Sequence, residues 1–164
     1  MYRIGHSWDT HKLVPGRKLI LGGVIIDSEL GLLGHSDADV VLHAVAESLL
    51  GSLALGDLGT FYPDNSPTTL NMDSKIILKE CYDKVLELGY KLSNLDIMIY
   101  SEFIKINTHR NLIRESIANI LGVNINQVSV KATTNERMGF IGRGEAIASE
   151  CTCLVYKVNN NIYL

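Results

Sequence analysis

The sequence predicts an α+β fold in which a mixed β-sheet carries three helices on one face. Segments of strand character and segments with apolar residues at helical spacing follow in the order strand, strand, helix, helix, strand, helix, strand, strand. Two helical segments end at Gly89 and Gly122, and glycine suits the left-handed conformation that closes a helix. The 164 residues, 46% of them hydrophobic, are enough for one domain, residues 1–164, with its own core.

The amino-terminal part of the chain is predicted to contain two strands and, further on, a long loop. Residues 2–11 and 18–26 have the character of strands, and the second segment is interrupted by the Gly22-Gly23 pair. A hairpin or a pair of neighbouring strands is therefore expected. Residues 56–69 are rich in turn-forming residues and too long for a minimal connection, which makes them a candidate substrate loop.

Helices are predicted where apolar residues recur every three or four positions. The first begins near Asp37, because such residues recur from Val40 to Leu50, and Ser36 with Asp39 is interpreted as its capping box. The tail at residues 159–161 is expected to form a polar turn or a frayed end. The remaining elements are predicted at residues 73–88 (helix), 92–101 (strand), 108–121 (helix), 128–133 (strand) and 146–158 (strand).

Charge and hydropathy argue against several classes of partner. A net charge of −3 without a long basic run disfavours binding to a nucleic-acid backbone, so a small-molecule partner is expected. No stretch approaches the roughly 20 apolar residues that span a bilayer, and no membrane association is expected. The chain begins with a strand-like segment rather than a signal sequence. We therefore expect a cytoplasmic bacterial protein or the mature form of an organelle protein.

The three cysteines leave two interpretations open. Cys81 lies in a predicted helix, whereas Cys151 and Cys153 alternate in the last predicted strand. That pair could bind a metal ion through two thiolates. The alternative, which suits a reducing compartment, is that all three are buried or half-buried thiols.

One group of residues has the composition of a catalytic metal site. Asp9 and His11 are two residues apart in a predicted strand and so point to the same face, and His43 could complete the set from the first helix. One carboxylate and two imidazoles with an open fourth position are typical of catalytic zinc, which suits chemistry on an oxyanion. Asp39 or Glu47, one helical turn either side of His43, could accept its second ring proton; the alternative is a solvated acidic face.

Residues 131–145 have features that suit phosphate binding. The run from Lys131 to Glu136 offers threonine hydroxyls directly after a predicted strand, and residues 139–145 are rich in glycine. Hydroxyls and backbone amides bind diphosphate oxygens, Arg143 adds a planar donor fork, and Glu136 could ligate magnesium. The alternative is that the threonines reflect only β-propensity and the glycines only a turn.

The face of the sheet opposite the helices needs a cover. In the last two predicted strands, apolar residues occupy every second position and so point to the same face. The uncovered face carries either these apolar residues or the residues that lie between them. A second copy of the chain is the simplest cover, and a homo-oligomer is therefore predicted. The set in question is Val128, Val130, Cys151, Cys153 and Val155.

Six segments in sequence order span nearly the whole chain: Arg3–His11, Gly34–His43, Gly56–Gly59, Tyr62–Asp64, Lys131–Glu136 and Gly139–Glu145. Together they resemble the 2-C-methyl-D-erythritol 2,4-cyclodiphosphate synthase family. The resemblance implies conversion of 4-diphosphocytidyl-2-C-methyl-D-erythritol 2-phosphate into the cyclic diphosphate with release of CMP, in the non-mevalonate isoprenoid pathway. It also implies a homotrimer in which the sheets of three subunits pack around the trimer axis, with active sites between subunits.

The resemblance assigns two cations to the site. Asp9, His11 and His43 would bind zinc, with a β-phosphate oxygen in the fourth position. Glu136 would hold the magnesium or manganese ion that bridges the diphosphate. The two ions would offset the charge repulsion between a phosphate and a diphosphate of the same molecule.

The resemblance also assigns residues to the substrate. His35 and Thr134 would stabilise the transition state. The chain departs from the family pattern between residues 101 and 107, where Ile104 stands in place of a common proline near the cytosine. The residues that would contact the substrate are Ser36, Asp57, Leu58, Gly59, Tyr62, Asp64, Ser101, Lys105, Ile106, Asn107, Thr133, Phe140 and Arg143.

Two alternative functions stay open at this point. The same cations could activate water, which would make the chain a zinc-dependent phosphohydrolase of a nucleotide-like substrate. The non-enzymatic alternative is a metal-free trimeric binding module. The products formed from the cytidylyl substrate distinguish the three functions.

Overall fold

The computed structural model of the chain describes residues 1–63 and 69–158, so the predicted tail at 159–161 lies outside the described residues. Within these ranges the chain is a mixed α+β structure, as the sequence predicts. The strands are β1 (Tyr2–Pro15), β2 (Leu19–Leu21), β3 (Val24–Ile26), β4 (Leu30–Leu32), β5 (Tyr90–Tyr100), β6 (Val128–Thr133) and β7 (Ala146–Lys157). The helices are α1 (Val40–Ser52), α2 (Leu58–Phe61), α3 (Ser74–Glu87), α4 (Arg110–Leu121) and α5 (Gly139–Gly142).

Five of the strands form one mixed sheet in the order β4-β1-β7-β5-β6. β5 and β6 run parallel, and all other neighbours are antiparallel. The longest pairing joins β1 to β7, from Tyr2 opposite Tyr156 to Lys12 opposite Ala146. Residues 9 and 11 lie within this pairing, so the strand backbone holds their side chains in a fixed register.

The three long helices form a layer on one side of the sheet. α1 packs on β1 and β7, α3 packs on α1 and β5, and α4 packs on β6. Side chains from the inner side of the sheet, such as Val130, Cys151 and Cys153, share one buried core with the helices. Among the described residues, no helix combines the length and the apolar character that crossing a membrane requires.

The opposite side of the sheet is exposed in the described part of a single chain. Val128, Cys151 and Cys153 lie on the helix side of the sheet, so the open face carries the residues next to them along each strand. It includes Ile4 and Trp8 of β1, which are 69% and 46% exposed. Apolar side chains on an otherwise complete sheet favour association with another surface.

Several short elements differ from the sequence prediction. β4, α2 and α5 were not predicted, because three or four residues are too few to show a periodicity. α2 lies inside residues 56–69, so the interpretation of that whole segment as a loop was wrong. β2 and β3 pair with each other in a separate two-stranded sheet around the Gly22-Gly23 turn, so the single strand predicted at residues 18–26 was wrong. The expected pairing of residues 2–11 with that segment was also wrong, because β1 pairs with β7 and β4 instead.

The capping box predicted for α1 was also wrong. α1 begins after Asp39, whose carboxylate accepts hydrogen bonds from the Val41 and Leu42 amides at 3.1 Å each. Ser36 accepts a hydrogen bond from the Ala38 amide and closes a turn ahead of the helix. The sequence alone could not place the cap, because serine and aspartate both suit that position.

Asp39 also anchors the β2–β3 hairpin to α1. Its two carboxylate oxygens accept hydrogen bonds from the Gly22 and Gly23 amides at 2.9 and 2.6 Å, and the residue is fully buried. Four backbone amides therefore depend on one side chain, and each would be unpaired without it.

We expect Asp39→Asn to lower the free energy of unfolding by about 2 kcal/mol, because the new amide group turns donor hydrogens toward backbone donors. Chemical denaturation measures the loss. Asp73→Asn, at the exposed cap of α3, is the matched control and should lose less than about 1 kcal/mol. Equal losses in the two variants would contradict the anchoring role of Asp39.

Candidate metal centre and adjoining cleft

Asp9, His11 and His43 converge between β1 and α1. The Oδ2 atom of Asp9 lies 3.1 Å from Nε2 of His11 and 3.2 Å from Nδ1 of His43, and the two ring nitrogens are 3.1 Å apart. One ligand atom from each residue lies within 4.8 Å of the other two. Across residues 1–63 and 69–158, this is the one cluster of such side chains able to hold a metal ion.

The surroundings keep Asp9 in the form that binds a cation. Burial alone would raise the pKa of the carboxyl group, but hydrogen bonds and charge from His11 and His43 outweigh it and hold the pKa well below its usual range. Burial lowers the pKa of His11, whereas Asp9 and the Leu33 carbonyl raise it, with a net rise. A metal ion between these groups would take the place of the shared proton.

The backbone fixes the tautomer of His11. Its Nδ1 atom lies 2.8 Å from the carbonyl oxygen of Leu33, and a carbonyl only accepts hydrogen bonds. Nδ1 therefore carries a hydrogen, and Nε2 is the nitrogen that faces Asp9 and His43 and would bind a metal ion. The Leu33 amide in turn donates to the carbonyl of Lys12, which holds this segment beside β1.

A cleft of about 290 Å³ opens beside the three residues. Several of the residues that the sequence assigned to the substrate line it, along with some that it did not assign. The structure thus brings one half of the predicted site together. The lining residues besides the three ligands are Gly34, His35, Ser36, Glu47, Leu58, Gly59, Tyr62, Thr69 and Ile77.

The predicted carboxylate partner of His43 was wrong for both candidates. Asp39 is occupied by backbone amides, and Glu47 accepts a hydrogen bond from the Ser7 hydroxyl at 2.7 Å. The Nε2 atom of His43 instead lies close to two serine hydroxyls, those of Ser36 and Ser74. Helical spacing correctly placed Glu47 near His43 but could not show which group each oxygen would face.

α2 carries Leu58 and Gly59 into the cleft, and three contacts position it. The Asp57 carboxylate caps the helix by accepting from the Thr60 amide at 2.9 Å, and Thr60 also lowers the pKa of this exposed carboxyl. Glu47 of α1 accepts from the Leu58 amide at 3.3 Å. Tyr62, directly after α2, donates to Glu80 of α3 at 2.5 Å. No pattern in the sequence indicates that Glu47 or Glu80 would position α2.

The other half of the predicted site, which comprises residues in the ranges 101–107 and 133–143, lies elsewhere on the chain. Ser101 lines a second, smaller cavity, and Ile106 is buried in a short 3-10 turn. Glu136 has a positive φ of 50° and lies 3.4 Å from the Thr134 hydroxyl, which donates to it. Asp64 lies outside the described residues. The predicted site residues of this half that are exposed to solvent are Lys105, Asn107, Thr133, Thr134, Glu136, Phe140 and Arg143.

The strand register shows how far Thr133 lies across the sheet from the strand of the metal ligands. Thr10, next to Asp9, lies opposite Ala148; Ala148 lies opposite Tyr100, and Tyr100 lies opposite Thr133. Three steps of about 4.8 Å separate these strands, or roughly 14 Å. None of residues 101–107 and 133–143 lines the cleft beside the metal ligands.

The cysteines fit the buried-thiol interpretation. All three are fully buried, and burial raises the pKa of Cys151 to about 12, which favours the protonated thiol over a thiolate ligand. Cys151 accepts a hydrogen bond from the Ser48 hydroxyl, and Cys153 donates to the Ser48 carbonyl. Cys151 and Cys153 therefore serve as packing groups between β7 and α1.

Known proteins resemble the chain over almost its whole length. The YgbB family model matches residues 2–156. A curated relative from Geobacter sulfurreducens, named 2-C-methyl-D-erythritol 2,4-cyclodiphosphate synthase, is 50% identical over 153 residues, which cover 93% of this chain and 98% of the relative. The relative of the same name from Geobacillus sp. is 48% identical over 157 residues, 96% of this chain and 99% of the relative.

Solved structures share the fold. The bifunctional IspDF of Campylobacter jejuni matches with a TM-score of 0.93 and 36% identity over 96% of this chain, which spans 43% of that longer protein. IspF of Plasmodium falciparum, solved as a CDP complex, matches with a TM-score of 0.86 and 33% identity over 96% of this chain and 97% of its own. The chain therefore belongs to the YgbB family, in which its curated relatives are 2-C-methyl-D-erythritol 2,4-cyclodiphosphate synthases.

Proposed function

We propose that this chain, acting as one domain, cyclises 4-diphosphocytidyl-2-C-methyl-D-erythritol 2-phosphate to 2-C-methyl-D-erythritol 2,4-cyclodiphosphate and releases CMP, in the non-mevalonate isoprenoid pathway. The observation that carries the proposal is the convergence of Asp9, His11 and His43 at the wall of a cleft. The names of the relatives supply the reaction, and the CDP bound to the Plasmodium falciparum protein supports a cytidine nucleotide as part of the substrate.

Zinc is the cation that best suits the donor set. One carboxylate oxygen and two imidazole nitrogens leave a fourth tetrahedral position open, as in catalytic zinc sites. Bound zinc would act as a Lewis acid on a diphosphate oxygen and offset its negative charge. Asp9, held ionised by its neighbours, and His11, oriented by the Leu33 carbonyl, are prepared to hold that ion.

The reaction needs no nucleophile from the protein. An oxygen of the 2-phosphate attacks the β-phosphorus, the bond from that phosphorus to the CMP oxygen breaks, and the electron pair leaves with CMP. Since both reacting groups belong to one molecule, the residues of the site act by orienting them and by offsetting charge. His35 and Ser36 line the cleft and would donate to phosphate oxygens, and Thr134 would complete the set.

The remaining contacts divide between the two halves of the site. Asp57 and Gly59 would bind the ribose, and Asp64 would face the erythritol. Leu58 and Tyr62 would also contact the substrate. Glu136 would hold magnesium or manganese against the diphosphate. The residues proposed to bind the cytosine and the phosphates from the other half are Ser101, Lys105, Ile106, Asn107, Thr133, Phe140 and Arg143.

We propose a homotrimer in which these halves meet between subunits. Within one chain the strand that carries Asp9 and His11 lies roughly 14 Å across the sheet from the strand that carries Thr133, so one substrate molecule cannot contact both as tightly as catalysis requires. Most residues of the second half, Ser101 and Ile106 excepted, are exposed to solvent, as expected of a surface that faces another subunit. The open sheet faces, with Ile4 and Trp8, would pack around the trimer axis.

The oligomer gives a direct prediction: Ile4→Glu should yield a folded single chain with at least about tenfold lower turnover, because a buried unpaired charge opposes association. Light scattering measures the mass, which should equal three chains for the unmodified protein. Ile25→Glu is the matched control, since Ile25 is 63% exposed on β3, away from the open face. A mass of one chain for the unmodified protein would contradict the trimer.

The function is tested by incubating the purified protein, with zinc and magnesium, with the cytidylyl substrate. CMP together with the cyclic diphosphate supports the proposed cyclisation. CMP with linear products would instead indicate a phosphohydrolase, and no turnover with both metals present would indicate a binding module. The expected location is the cytoplasm, in keeping with the bacterial relatives.

A further inference from the structure

We propose that Ser74, backed by Asp37, is a positioning residue that selects which nitrogen of His43 faces the metal. Ser74 is the first residue of α3, 31 residues along the chain from His43, and is fully buried. Its hydroxyl oxygen lies 3.0 Å from Nε2 of His43. The inference rests on the proposed metal-dependent function.

Asp37 holds Ser74 by two hydrogen bonds. One carboxylate oxygen accepts from the Ser74 hydroxyl, and the other accepts from the Ser74 amide at 3.1 Å. Asp37 is itself fixed, because its amide donates to the Met72 carbonyl at 3.1 Å and its carboxylate accepts from the Asp39 amide at 3.2 Å. The turn before α1 and the start of α3 are thus joined next to the metal ligands.

The direction of these hydrogen bonds follows from the number of hydrogens. A serine hydroxyl has one hydrogen, and an ionised carboxylate can only accept, so the Ser74 hydrogen lies on the bond to Asp37. Toward His43 the Ser74 oxygen can then only accept. Nε2 of His43 must carry the hydrogen, and Nδ1 is left with a lone pair directed at Asp9 and His11.

The two histidines therefore present opposite nitrogens to the same point. A backbone carbonyl holds the hydrogen on Nδ1 of His11, and the Ser74–Asp37 pair holds it on Nε2 of His43. Each ring has one nitrogen committed to the protein and one free for the ion, which is the arrangement that raises the basicity of metal-bound imidazole.

The same argument assigns the hydroxyl hydrogen of Ser36. Its oxygen lies 3.1 Å from Nε2 of His43 and accepts from the Ala38 amide. Because Nε2 already carries a hydrogen, Ser36 cannot donate to it. The Ser36 hydroxyl hydrogen is thus available to an anionic oxygen in the cleft that Ser36 lines.

The test measures zinc affinity of the metal-free protein by competition with a chelator. Ser74→Ala should bind zinc roughly 10- to 100-fold more weakly, as expected when the hydrogen-bond partner of a metal-bound histidine is removed. Ser74→Thr keeps the hydroxyl and should recover most of that loss. With cobalt in place of zinc, the visible absorption bands should shift in Ser74→Ala and return in Ser74→Thr.

The matched control is Ser52→Ala, which removes another buried serine hydroxyl, one that donates to the Leu49 carbonyl away from the metal ligands. Its zinc affinity should equal that of the unmodified protein. If Ser74→Ala does not fold, Asp37→Ala carries the test and should weaken zinc binding roughly tenfold. Unchanged affinity in the folded variant would overturn the inference, whereas an unmodified protein that binds no zinc would overturn the proposed function itself.

Discussion

Replacing His43 with alanine is expected to remove zinc and to lower turnover at least about 1,000-fold, while the chain keeps its fold. The loss follows from the several kcal/mol of charge stabilisation that a bound cation contributes to transfer at phosphorus. His43 is only part of the wall of an open cleft, so its removal leaves the core intact. Metal analysis, the product assay and a thermal unfolding curve measure the three quantities.

His109→Ala provides the comparison for metal content. His109 precedes α4, makes no capping hydrogen bond through its side chain and does not line the cleft. This variant should keep the zinc of the unmodified protein. Turnover by His43→Ala at the original rate in zinc-free buffer would contradict the role of the metal centre.

Gly5→Ala is expected to destabilise the fold by at least about 3 kcal/mol, the largest effect on stability that we predict. β1 and α1 approach so closely at Gly5 that a Cβ atom would lie 1.7 Å from the Ser48 carbonyl oxygen and 2.8 Å from the Ser52 nitrogen. Both are backbone atoms of a buried helix, so α1 would have to move as a unit. Since α1 carries His43, turnover should fall together with stability.

Gly51→Ala is the matched control for this effect. Gly51 lies in the same helix, is exposed, and a Cβ atom there would meet nothing within 4 Å. Alanine should therefore stabilise the chain by about 0.5–1 kcal/mol through its higher helix propensity. Urea denaturation compares the two variants, and a Gly5→Ala chain as stable as the unmodified protein would contradict the close approach.

Long elements could be predicted from sequence because their ends carry local signals. The strand predicted at 128–133 matches β6, and the helix predicted at 73–88 differs from α3 by one residue at each end. Gly122 has the predicted left-handed conformation after α4, with φ of 65°. Single turns such as α2 show no periodicity, so they became evident only in the structure.

The candidate site was predictable to the extent that spacing determines geometry. Asp9 and His11 share a face because strand side chains alternate, and helical periodicity placed His43 on an adjoining element. The partner of His43 was not predictable, because Ser74 comes from another helix and serine has no distinctive pattern. The distance between the metal ligands and Thr133 likewise depends on the strand order, which the sequence does not specify.

Anomalous diffraction at the zinc absorption edge, from crystals of the zinc-loaded protein, tests the central claim most directly. We predict one strong peak per chain between Oδ2 of Asp9, Nε2 of His11 and Nδ1 of His43, about 2.0–2.2 Å from each atom. A zinc-loaded crystal with no peak among these three side chains, or with its zinc bound elsewhere, would contradict the account.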